Sequence, residues 1–567
     1  MGRPEKIRLG DTLIAHKIIS QEQLKIALEQ QKKSGRRLGR VLIEQGFVND
    51  DQICEAISKQ LNIPYVNLKF YNFNADLVRR LPETQARRFR ALVLEDKRSS
   101  YMVGMADPTD LFAYDELARL LKRDIEAAVV SEAIVLQTID RVYRRTDQIS
   151  GLAKELERDV GESYIDFGAL GVGVGAEEAP VVKLLQSIFE DAVQVNASDV
   201  HIEPLESRLQ IRFRIDGALM PQTESDSKIA PALALRLKLM AGLDISEKRM
   251  PQDGRLMVSV RDQKIDVRMS TMPCQYGETV VLRLLNRRAT LQSLDRLGMP
   301  EDIRGRFAEI IRRTAGMVLV TGPTGSGKTT TLYAALAEVN TPDRKIITVE
   351  DPVEYRLPGI TQVQVNEKIE LTFARVLRST LRQDPDVILV GEIRDEETAQ
   401  IGLRAALTGH LVLSTLHTKD AASTPLRLIE MGAPSYMVAT SVHAVMAQRL
   451  VRLVCETCAT DVQPDAEEAR WLEAVVGPSW REQRYRRGKG CSHCNGMGYS
   501  GRIGVYEMLE MTPDLVRAAN VADPNAFLDA ARPQLKGRTL TDRALALVFA
   551  GRTTVAEATK VAVQLEE

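Results

Sequence analysis

The residues best suited to chemistry are Gly322, Pro323, Thr324, Gly325, Ser326, Gly327, Lys328, Thr329 and Thr330, one unbroken run behind the apolar residues 318–320. The three glycines let the backbone curl so that successive N–H groups converge on one anion. A helix start behind them adds the positive end of its dipole. Lys328 supplies a point charge for β- and γ-phosphates, and the Thr329 hydroxyl is placed to ligate Mg²⁺. The spacing GxxxxGK[ST] is specific only in context. Here a strand pattern precedes it and a helix-compatible stretch, 331–338, follows, so residues 322–330 are expected to bind ATP with Mg²⁺.

Three later strand patterns end in groups that serve the same chemistry. The stretch 345–349 is capped by Glu350, Asp351 and, three residues on, Glu354. Carboxylates at the carboxyl end of a parallel strand beside a phosphate loop can polarise water or hold the metal, and Glu354 is the better general base. The stretch 387–390 ends in Gly391-Glu392, a Walker B arrangement in which Glu392 replaces the usual aspartate. The stretch 411–414 has His410 before it and His417 after it. Lone histidines are usually structural, so these two gain weight only from their order behind the other motifs.

Cys455-x-x-Cys458 and Cys491-x-x-Cys494 stand 32 residues apart. Four thiolates close a tetrahedral site with no position left for water, which is structural Zn²⁺ chemistry. His493 is a minor alternative ligand. Six cysteines in 567 residues form no secreted disulfide framework, and the pairing argues for metal in a reducing compartment. Cys54 and Cys274 read as ordinary buried thiols.

A chain of 567 residues, 44% apolar and 27% charged, holds several folded domains. With 76 basic against 77 acidic residues the net charge is −1, and aromatic residues make up 5%, so no nucleic-acid partner is expected. The start, MGRPEKIRLGD, lacks the apolar core of a signal peptide, and nowhere do 18 apolar residues run uninterrupted. The expected location is the cytoplasm, with recruitment to a membrane through partners.

The elements that position these groups follow a clear order. Residues 8–31 and 37–60 are two copies of one pattern. Arg8-Leu9-Gly10 superposes on Arg37-Leu38-Gly39, Leu24 and Leu28 on Ile53 and Ile57, and Gln31 on Gln60. Each copy reads as two short helices around a turn at Lys17 or Gly46. An arginine seldom belongs in a core, whereas it forks to phosphate or stacks on a base, so a duplicated Arg-Leu-Gly suits a twofold ligand. Residues 63–145 read as an α/β unit, in which Asp107, before Pro108, reads as a turn-former. Residues 146–177 lose apolar periodicity and end in a glycine-rich run, which reads as a flexible linker. A helix from 179, strands 209–215, 256–260 and 265–269, and a helix over 229–243 make a second domain.

The stretches SDVHIEP, RFRIDG, RMPQDGR, ITVEDPVEY, DVILVGEIRD and TGHLVLSTLHT, with the phosphate loop, resemble the type II secretion and type IV pilus assembly ATPases over about 179–510. The resemblance implies an α/β multidomain chain with a RecA-like P-loop core (291–567), a preceding PAS-like α/β domain (178–290), and a zinc module at about 450–510. It implies a homohexamer in which the second domain supplies arginines, Arg214, Arg249, Arg255 and Arg268 being the candidates. It further implies motion passed to an inner-membrane platform protein. The tandem repeat resembles the MshE-type N-terminal domain (1–145), which binds cyclic di-GMP across both copies and here lacks the first copy's glycine at Lys17; the resemblance implies a ligand carboxylate at Asp107, beside its turn-forming reading. Together these imply a cyclic di-GMP-switched ATPase that assembles pili of the mannose-sensitive haemagglutinin (MSHA) kind. Its rivals are a type II secretion ATPase and, more remotely, a RecA-like nucleic-acid translocase.

Overall fold

A computed structural model describes residues 18–34, 38–143, 152–156, 180–260, 263–285, 293–521 and 523–566, with Gly10, Leu13, Ile14 and Ile149 besides. Arg8, Leu9, Lys17 and Arg37 lie outside the described residues. In the second repeat copy, helices Leu38–Glu44 and Asp50–Leu61 flank Gly46, whose φ of +70° explains the glycine. The main helix of the first copy is Gln21–Ser34. Leu13, Ile19 and Ala27 of one copy share a core with Val41, Leu42, Val48, Ile53 and Ala56 of the other. This small unit leans on a three-stranded sheet (Ala91–Asp96, Ser100–Met105, Asp124–Val129): Tyr65 donates to Asp51 at 2.6 Å, and Ser131 donates to Asp50.

The expected linker is partly structured. Residues 152–156 are helical, and Ile149, Ala153 and Leu156 are buried in the core of the domain that follows. Their i, i+4, i+7 spacing puts three apolar residues on one helix face, too short a signal to stand out among polar neighbours. That second domain packs helices Pro180–Gln194 and Ala230–Ala241 on a six-stranded antiparallel sheet. Its order is Ala218–Asp226, Arg208–Ile215, Asp199–Pro204, Gly277–Leu285, Gln263–Cys274, Gln252–Val260. Cys274 is exposed rather than buried, because it closes the hairpin opposite Gly277 where the chain leaves the sheet; Cys54 is buried as expected.

The third unit is built on a seven-stranded sheet ordered Thr361–Gln364, Ile346–Glu350, Val387–Val390, Leu411–Leu416, Gly316–Thr321, Val442–Val454, Tyr499–Glu510. All neighbours are parallel except the last pair. Helices cover both faces, so the central strands are buried throughout and read as continuous apolar runs. The C-terminal helices Pro513–Val521, Pro524–Leu535, Leu540–Phe549 and Val555–Glu566 are part of this core, burying Leu515, Phe527, Leu540, Leu545 and Val555. Among the described residues no helix is long and apolar enough to cross a membrane.

Candidate active site and metal centre

At the carboxyl end of strand Gly316–Thr321 the chain turns through Gly322 (φ +143°), Gly325 (φ +80°) and Gly327 (φ +90°) into helix Lys328–Val339. A Cβ on Gly322 would fall 2.4 Å from the Gln448 carbonyl oxygen, so no other residue fits there. Lys328 is 9% exposed, and its Nζ donates to Gly322 O at 2.7 Å and Pro323 O at 3.1 Å. Burial pushes its pKa down to about 8, with Glu392 pulling it up and Arg449 pressing it further down. Ser326 Oγ is buried without a hydrogen-bond partner among the described residues. Thr324, Thr329 and Thr330 are exposed. An unpaired hydroxyl, a loop cation and a helix start on one glycine-rich turn are the groups a triphosphate needs, and Thr329 is exposed enough to meet Mg²⁺.

The neighbouring strand ends sort the other candidates. Glu392, 18% exposed, accepts from Arg394 Nη2 at 2.5 Å and lies 3.6 Å from His417 Nε2. Burial holds the His417 pKa below its usual value, Lys328 adds to this, and Glu392 opposes both. His410 is not brought to this cluster. It precedes Leu411, which pairs with Gly316 at the far end of the sheet, and its Nδ1 lies 2.9 Å from Ala405 O. Six residues of strand separate the two histidines' ends, on the order of 20 Å. Glu350 is buried and occupied by Tyr333 Oη, Thr348 Oγ1 and Gln362 Nε2. That leaves Glu354, 38% exposed, as the more open of the two glutamates at this strand end.

Of the four arginines, Arg268 alone reaches the P-loop unit, its Nη2 lying 3.4 Å from Glu354 Oε2. Arg214 is taken by Asp199 and Gly217 O, Arg249 by Glu247 with its side chain 88% exposed, and Arg255 faces solvent. Two contributors escape the sequence reading. Gln448 accepts from Thr331 Oγ1 at 2.8 Å, and Arg449 beside it is 3% exposed. Their signal is a Gln-Arg pair within the apolar run 444–451 of strand Val442–Val454.

The four cysteine Sγ atoms lie within 4.8 Å of one another, three of the pairs at 3.8 Å. Sulfurs about 2.3 Å from one tetrahedral Zn²⁺ stand roughly 3.8 Å apart, so the set fits that ion. His493 is not in the cluster; its ring packs on Phe73 at 5.7 Å. In the repeat unit, Ile53 is buried, Leu24, Gln31, Leu38, Gly39 and Ile57 are half-buried, and Leu28 and Gln60 are exposed. A Cβ on Gly10 would meet Leu24 Cδ1 at 2.8 Å, so this glycine serves packing. Asp107 accepts from Thr109 N and Oγ1, which is its turn-forming role.

A phosphate loop, a Walker B carboxylate and a parallel sheet that aligns them define a P-loop ATPase. The chain belongs to the Type II/IV secretion system protein family, whose model matches residues 175–560, and an MshEN domain matches residues 61–149. It is 41% identical over 507 residues to the type IV pilus assembly ATPase PilB of Myxococcus xanthus, covering 88% of this chain and 89% of that one. It is also 41% identical over 488 residues to type II secretion system protein E of Pseudomonas aeruginosa, covering 82% and 96%. The ATPase DotB of Legionella pneumophila shares the fold at a TM-score of 0.51 and 23% identity, over 67% of this chain and 95% of its own. The protein is thus an ATPase of the pilus and secretion class with an MshEN domain at its front.

Proposed function

We propose that this chain is a homohexameric motor that hydrolyses ATP to assemble a type IV pilus of the MSHA kind, and that cyclic di-GMP switches it. The observation that carries the regulatory half is the doubled Arg-Leu-Gly pattern of the sequence, with the described helices of its two copies sharing one core ahead of the MshEN match. Residues 1–145 then act as one receptor unit. Lys328, Ser326 and the loop amides hold the phosphates, Thr329 holds Mg²⁺, Glu392 and His417 order the attacking water, and Glu354 answers an arginine of the second domain. Arg268 is the leading candidate for that arginine, because it already meets Glu354. Zn²⁺ sits on Cys455, Cys458, Cys491 and Cys494. The motor works in the cytoplasm against a membrane platform protein.

A route between receptor and motor supports this reading. Thr457, inside the first cysteine pair, donates to Lys69 O at 2.7 Å, and Phe73 packs on His493 inside the second. Type II secretion stays the second reading, since that relative is equally identical. Calorimetric titration of the purified protein with cyclic di-GMP, read together with ATP turnover, tests the proposal. Arg37→Ala is expected to weaken the dinucleotide about tenfold or more, since a lost charge-assisted contact costs roughly 1.5–3 kcal/mol. Unchanged affinity in that variant removes the receptor role.

A further inference from the structure

Arg449 is a buried cation with no part in the scheme above. Its Nη1 donates to Gln448 O at 3.1 Å and its Nη2 to Lys419 O at 2.6 Å. The Nε is buried without a partner, and no ion pair reaches the side chain, both among the described residues. Glu507, 2% exposed, and Asp420 balance its charge only through space. Burying a guanidinium on carbonyls alone is expensive, and an apolar side chain would fill the strand at less cost.

What Arg449 touches gives it a purpose. A Cβ on Gly322 would lie 3.0 Å from Nη1, so the guanidinium lies against the first glycine of the phosphate loop. Lys419 O belongs to the turn that carries His417. The same turn is tied to the loop's base from the other side, where Thr418 N donates to Thr321 Oγ1 at 3.0 Å. Beyond it, Glu507 accepts from Ala421 N at 2.8 Å and from Leu540 N at 3.0 Å, which anchors the turn's far end to the C-terminal helices. Thr321 Oγ1 also donates to Leu416 O at 3.0 Å, so the chain is fastened before His417 as well as after it, and Arg449 is the fastener that joins the turn to the first glycine of the loop.

We infer that Arg449 is a positioning residue of the hydrolytic step, fixing the His417 turn against the phosphate loop so that His417 stays beside Glu392. The inference rests on the proposed roles of Glu392 and His417, which substitution of Glu392 tests separately.

Steady-state ATPase kinetics of full-length Arg449→Gln and Arg449→Lys provide the test. A lysine places a point charge on one carbonyl where the arginine fork holds two. The expected order of kcat is wild type, then Lys, then Gln, with Gln down about tenfold or more. KM for ATP should stay within about threefold, because Lys328 and the loop amides are untouched. A role confined to stability would lower the melting temperature and leave kcat per folded molecule alone. A folded Arg449→Gln with wild-type kcat, or a loss carried wholly by KM, overturns the inference. Should the Gln variant not fold, Arg449→Lys decides, and unchanged kcat there overturns it equally. If Glu392→Gln retains turnover, the hydrolytic assignment has failed independently of Arg449.

Discussion

Glu392→Gln is expected to bind ATP normally and to hydrolyse it about 10²–10⁴-fold more slowly, the range a positioned acid–base group supplies. The carboxylate ends the buried strand Val387–Val390, is held by Arg394 and faces His417, so the amide would keep the shape and lose the charge. Binding survives because Lys328, Ser326 and the loop amides make no direct use of Glu392. Removing a negative charge near the phosphates, if anything, favours nucleotide. Two companions make the result specific. Glu354→Gln should fall less, because Glu354 stands further into solvent and its arginine partner remains. His410→Ala should leave kcat within about twofold, because that ring lies at the opposite end of its strand, on the order of 20 Å away. Nucleotide titration and steady-state turnover on the same preparations check all three. Normal turnover in Glu392→Gln, or an equal loss in His410→Ala, sinks the assignment.

The histidines show where sequence order and spatial order part. His410 and His417 flank one strand and look like a pair, yet a strand carries its two ends far apart, so one reaches the phosphate loop and the other caps a helix turn at Ala405. The strands themselves were legible, because parallel strands buried on both faces must be apolar throughout: 387–390 is the observed strand, and 345–349 and 411–414 fall one or two residues from theirs. The second domain was less so. Alternation is clean in Arg208–Ile215, where Leu209, Ile211, Phe213 and Ile215 point inward, but Ala218–Asp226 is mostly half-buried and carries no such pattern. Gln448 and Arg449 were illegible for a different reason. Gln448 meets Thr331 across 117 residues of sequence, and neither is unusual until the sheet brings them together. The sequence already favours Glu354 over Glu350, and the donors packed on Glu350 supply the physical reason.

Cys458→Ser is expected to abolish the proposed zinc site and loosen the whole module from 455 to 500, with consequences beyond it. Structural zinc binds with on the order of 10 kcal/mol in small domains, and that binding energy is folding energy. The four thiols are drawn to one point by short-range geometry: Cys491 N and Gly498 N donate to Cys494 Sγ at 3.2 and 3.1 Å, in the manner of amides that stabilise a metal-bound thiolate. A Cβ on Gly488 would sit 2.0 Å from Gly498 O, so the two chain segments close on each other with no room for a side chain. Without a cation, four thiolates this close would repel, and four thiols would leave the cluster unsupported. The module is also stitched to the motor, with Val454 N on Arg552 O at 2.9 Å and the Tyr485 ring 6.2 Å from Phe549. Metal analysis should therefore find about one zinc per chain in the wild type and little in the variant, given four ligands for a single ion. Cobalt exchanged into the wild type should show thiolate-to-metal charge transfer, a signature that does not depend on ATP turnover. Limited proteolysis of the variant should cut within 455–500 first and spare the central sheet, because the parallel strands owe nothing to the metal. A wild-type preparation that is metal-free, takes up no cobalt and resists protease as well as the variant would mean that the sulfurs close on hydrogen bonds alone.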